Sequence, residues 1–79
     1  MRPSARSLER LRALRVLARC PDGCTEAVMM AYGFSIDFLA GLVSDGLITA
    51  EPSTMRAGGR PAIVVWMQIT EAGRRVVEG

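Results

Sequence analysis

Two cysteines four positions apart, Cys20 and Cys24, flank Pro21-Asp22-Gly23 in a chain of 79 residues with no His. Structural zinc takes four ligands, so with no imidazole and no second cysteine pair one chain cannot complete such a site, and no metal is expected. The pair reads as two partly buried thiols at a helix-to-helix turn. A disulfide is sterically conceivable there but would not persist in a reducing cytoplasm, and redox sensing would require one exposed thiol with a lowered pKa. Without His there is no ready general base, and the carboxylates are scattered. The glycine-rich segment Ala57-Gly58-Gly59-Arg60-Pro61 lacks the Lys and the Ser or Thr of a phosphate loop. Neither catalysis, nor a cofactor, nor a small-molecule substrate is therefore expected.

The remaining chemistry belongs to arginine. All ten basic residues are Arg, against eight acidic ones, for a net charge of +2. Their distribution is blocked. Residues 1 to 19 carry six Arg against Glu9; residues 20 to 55 carry only Asp22, Glu26, Asp37, Asp45 and Glu51; residues 56 to 79 carry Arg56, Arg60, Arg74 and Arg75 against Glu71 and Glu78. Arg12, Arg15 and Arg19 fall at i, i+3 and i+7 on one edge of a helical wheel. Such a ridge is either a solvated face whose stems cover the edge of the core, or a track for phosphates or an acidic partner. Arg56 and Arg60 bracket a glycine reversal, where they either solubilise a hairpin tip or reach toward a nucleic-acid backbone.

The elements that must position these residues follow from periodicity. Leu8, Leu11, Leu14, Leu17 and Ala18 share a stripe that predicts a first helix over 7–19, ended by Pro21-Asp22-Gly23. Residues 1–6 are expected to fray. Thr25 caps a second helix over 26–32, with Met30 outward on its wheel and Gly33 as its stop. Phe34 fills the angle before Ser35 caps a third helix over 36–45, with Leu39, Leu42 and Val43 inward and Asp37, Phe38, Gly41, Ser44 and Asp45 off the core. An edge strand over 49–55, marked by Pro52, pairs through the glycine turn with a return strand over 63–69. Ile63, Val65, Met67 and Ile69 should pack on the helices; Val64 and Trp66, on the other face, call for a cover from a terminal segment or another subunit. Thr70 caps a last short helix over 71–77 that Gly73 weakens intrinsically by ~1 kcal/mol relative to Ala.

The order of these pieces, TEAVMMAYGFSIDFLAGLVSDGLI followed by the Arg56–Arg60 turn, the apolar strand and Ile69-Thr70-Glu71-Ala72-Gly73-Arg74, resembles the winged helix-turn-helix family of small bacterial DNA-binding and transcriptional-regulator domains. The resemblance covers nearly the whole chain. It implies an α+β fold: one domain over 1–79, with a three-helix core in which Val28, Met29 and Tyr32 of the second helix match the family's inward positions, a two-stranded β-hairpin wing and a short C-terminal helix. It further implies a cytoplasmic protein, a homodimer or protein partner, and duplex DNA as ligand. DNA contacts would come from Arg56, Gly58, Gly59 and Arg60 in the wing and Ser35, Asp37 and Phe38 in the third helix, with Arg12, Arg15, Arg19 and Arg74 on phosphates. Met30, Val64 and Trp66 would form a partner surface. This chain departs from the family in a third helix about one turn short and without a basic residue, so a protein-interaction module that does not read DNA sequence is the competing expectation. No apolar run approaches the ~20 residues of a membrane span.

Overall fold

The computed structural model describes the backbone of residues 5–79 and the side chains of residues 7–79. Its order is α1 (Ala5–Ala18), β1 (Cys24–Thr25), α2 (Glu26–Ala31), α3 (Ile36–Ser44), β2 (Ile48–Ala57), β3 (Arg60–Ile69) and α4 (Glu71–Glu78). The fold is α+β, with four helices and an antiparallel sheet of order β1-β3-β2. The first helix starts two residues earlier than the leucine stripe predicts. Residues 1–4, within the segment expected to fray, lie outside the described residues.

Short-range chemistry sets the helix starts. Thr25 Oγ1 accepts from the Val28 amide, Ser35 Oγ from Phe38 and Thr70 Oγ1 from Gly73, at 3.1 to 3.2 Å. Each hydroxyl satisfies an amide that the helix itself leaves without an acceptor. Gly33 and Gly46 adopt φ of 101° and 75° and end α2 and α3. The Thr70 hydroxyl also donates to Gly46 O at 2.7 Å, while the Thr70 amide donates to Leu47 O at 3.0 Å. One residue thereby ties the exit of α3 to the entry of α4.

The core is built from Ala13, Leu14, Leu17, Met29, Phe34, Leu39, Leu42, Leu47, Ile48 and Met67. Burial of each large apolar side chain among them stabilises by about 1.5 to 3 kcal/mol. Several inward assignments need correction. Leu8, on the α1 stripe, is 55% exposed, whereas Ala13 is fully buried in the stretch where α1 meets α4 and β3. Val28 and Tyr32 are exposed because α2, six residues long, buries a single side chain, that of Met29. Val43 is likewise exposed, one helical step round from Leu42. The Gly73 that weakens α4 locally has a packing reason: it is buried, and a Cβ there would run into the Leu47 carbonyl oxygen.

The hairpin is longer than the sequence suggests. Its strands are ten residues each, in register from Ile48↔Ile69 to Ala57↔Arg60. Gly58 and Gly59 at the tip have φ of 61° and 81°, the pair of left-handed residues that a two-residue turn needs to match the strand twist. At about 3.3 Å per residue such a ribbon spans ~33 Å, and the molecule measures 52 × 22 × 20 Å. The sheet also has a third strand that the sequence did not reveal. Cys24 pairs with Met67 and Thr25 with Trp66, so β3 has a neighbour on each side and Trp66 stands beside Thr25 in the sheet.

Candidate nucleic-acid interface

Arg56 and Arg60 lie near the hairpin tip, exposed, and among the described residues neither makes an ion pair. Antiparallel register sets Arg56 opposite Pro61 and Arg60 opposite Ala57. Arg56 and Arg60 are thus displayed on a narrow ribbon whose two glycines let the backbone approach a surface closely.

The ridge on α1 divides. Arg15 and Arg19 are exposed, but Arg12 is engaged within the fold: its guanidinium lies 5.1 Å from the Phe34 ring centroid and donates to Tyr32 O at 3.2 Å. A cation at the C-terminal end of α2 stabilises the carbonyls that end leaves open, and the aromatic face adds to that attraction. Arg10 pairs with Asp45 at 3.6 Å, and Arg75 with Glu71 at 2.9 Å on one face of α4. Arg74 remains exposed.

The third helix carries different chemistry. Ser35 is occupied as the α3 cap and Asp37 stands exposed in the first turn. Phe38, expected off the core face, is instead half-buried and stacks on Phe34 with ring centroids 5.8 Å apart, so it closes the core edge. The outward stripe consists of Ile36, Ala40 and Val43, at i, i+4 and i+7, with Ile36 50% exposed. These residues line a hollow of about 220 Å³ with Glu26, Ala50 and Met67. A second hollow, about 390 Å³, lies between the start of α2 and the hairpin and is lined by Glu26, Met55, Ile63, Val64 and Trp66 among others. Glu26 belongs to both.

Beyond the body each face of the hairpin carries an exposed apolar side chain among polar and basic ones, Ile63 on one and Met55 on the other. Ile63, expected to pack on the helices, is 77% exposed, because the strand at that point has passed the last helix it could cover. Of the three expected partner residues, Val64 and Trp66 are half-buried on β3 and Met30 is exposed on α2. The outward apolar stripe of α3 was missed by sequence reasoning. The signal was available in the 36–40–43 spacing, but the stronger 39–42 pair claimed the helix.

Around the cysteines, Sγ of Cys20 lies 2.7 Å from Sγ of Cys24. Burial, then the hydrogen bond and charge of Cys20, push the Cys24 thiol up from 9.0 to about 11. Among the described residues no group of three or more His, Cys, Asp or Glu could hold a metal ion, and no helix is long and apolar enough to cross a membrane. Comparison with protein-family models, curated proteins and solved structures yields no match to this chain.

Proposed function

We propose that this chain is a small winged-helix DNA-binding domain, of the transcriptional-regulator kind, that grips duplex phosphates with its hairpin tip. The observation carrying this reading is the pair Arg56 and Arg60, exposed and, among the described residues, without an ion pair, beside Gly58 and Gly59. Among the described residues Arg15, Arg19 and Arg74 are further exposed cations for phosphates. The outer face of α3 is apolar and acidic and carries no basic side chain, so binding is mainly electrostatic, through the arginines elsewhere, and only weakly dependent on sequence. Fluorescence anisotropy with a mixed-sequence duplex at two salt concentrations tests it. Affinity should fall with salt, and Arg56→Ala with Arg60→Ala should reduce the logarithmic salt slope by about two. No binding at low salt would refute the reading.

A second reading has an observation of its own. Ile36, Val43, Met55 and Ile63 account for exposed apolar side chains around the two hollows. A second copy of the chain, laying its hairpin across α3, would cover them. Sedimentation should then give twice the chain mass, and Ile63→Asp should give the single mass with the fold retained. A wild type that sediments as a single chain at every concentration would sink this second reading and leave the first standing.

A further inference from the structure

The turn between α1 and β1 holds its two sulfurs in contact. Cys20 closes the end of α1, its amide donating to Leu17 O at 3.0 Å, and its own carbonyl accepts from Gly23 at 2.8 Å. Pro21 and Asp22 fill the centre of that turn, which suits their preferences. The turn is docked on β3: Gln68 Nε2 donates to Asp22 O at 3.3 Å, and a Cβ on Gly23 would fall 2.6 Å from Met67 O. Cys24 is held from the other side by its strand pairing with Met67. Both ends of the five-residue segment are therefore fixed, with the Sγ atoms 2.7 Å apart.

We propose that Cys20 and Cys24 form a reversible disulfide within one chain, with a small-molecule disulfide of the glutathione type as the electron acceptor. The fixed backbone leaves only a short approach to a bond of about 2.05 Å. Both cysteines are half-buried, which admits a small oxidant but disfavours a second protein's thiol. In the first step the Cys20 thiolate attacks one sulfur of the acceptor; an S–S bond forms to Cys20 and the other half leaves as a thiolate. In the second, Cys24, giving up its proton, attacks Sγ of Cys20 and expels the remaining half. Two electrons pass from the protein sulfurs to the acceptor, which ends as two thiols carrying the two protons. Burial and the neighbouring Cys20 raise the Cys24 thiol, which disfavours Cys24 as the opening nucleophile. Ring closure fixes β1, and with it Thr25, which both caps α2 and faces Trp66 across the sheet. The site is independent of DNA binding.

Full-length protein is equilibrated with excess oxidised glutathione, quenched with N-ethylmaleimide under native conditions and weighed by mass spectrometry. The expected product is a single chain lighter by two hydrogens, unlabelled, and restored by reduced glutathione with a change in Trp66 emission each way. Cys24→Ser should stop at one glutathione on Cys20. Glutathione adducts on the wild type, disulfide-linked dimers, or two thiols that still label would each overturn the proposal.

Discussion

The body and the hairpin use the same kinds of side chain and dispose of them in opposite ways. In the body Leu14, Leu17, Met29 and Leu39 are fully buried, whereas past the edge of the helices Met55 and Ile63 stand in solvent. The register of β2 against β3 runs unbroken through both regions, so backbone pairing does not depend on burial here. What the body gains from packing, the hairpin must gain from cross-strand contacts and its glycine turn. Exposed apolar side chains occur in both regions, Leu8, Tyr32 and Ile36 among them in the body and Met55 and Ile63 on the hairpin, but only the hairpin carries them past the helices and near the arginines of the tip.

Substitutions can break that contrast or make it sharper. The largest loss should follow Leu39→Ala in the body, ~2–5 kcal/mol for a cavity under α3; in a domain of this size, with total stability of about 4–12 kcal/mol, urea melts should show partial unfolding in native buffer. Gly73→Ala sits where the two regions are pinned together. Helix propensity alone would stabilise it by ~1 kcal/mol, but the Leu47 carbonyl stands in the way, so a net loss of about 1–3 kcal/mol is expected from the same melts. A gain would mean that α4 can shift away from the exit of α3.

Smaller effects lie further from the core. Arg12→Ala removes a helix-end hydrogen bond and a ring contact, and should lower stability by about 1 kcal/mol. Measured in low and high salt, most of that loss should persist, because the ring contact is short-range. Ile63→Ser should change stability by less than about 0.5 kcal/mol while reducing any self-association seen by sedimentation. A loss as large as that of Leu39→Ala would place the hairpin in the cooperative core and erase the distinction.

Much of the architecture was legible because it is local. Thr25, Ser35 and Thr70 announce helix starts through hydrogen bonds three residues long, and Gly58-Gly59 announces the reversal. What could not be read depends on distant partners. Strand β1 is two residues whose pairing lies more than forty positions away in β3. The family pattern turns Val28 and Tyr32 inward and helical spacing does the same for Val43, but neither says how much of a six-residue helix, or of the flank of α3, the neighbouring elements can cover. Of the candidate site, the tip arginines were visible as a motif; the engagement of Arg12 by Tyr32 and Phe34 was not, since it joins α1 to a helix end twenty positions on.

The free flank of β2 has a consequence for assembly. In the order β1-β3-β2 this strand has no neighbour on its far side, and an open row of amides and carbonyls invites stacking of ribbon upon ribbon. Pro52, midway along it, has no amide proton to give, so the row is interrupted near its centre. With apolar side chains on both of its faces, the ribbon relies on that interruption to keep contacts finite. Pro52→Val should convert a soluble preparation into one that scatters light and binds amyloid dyes on standing, and a clear solution after the same incubation would show that the ribbon's twist suffices without it.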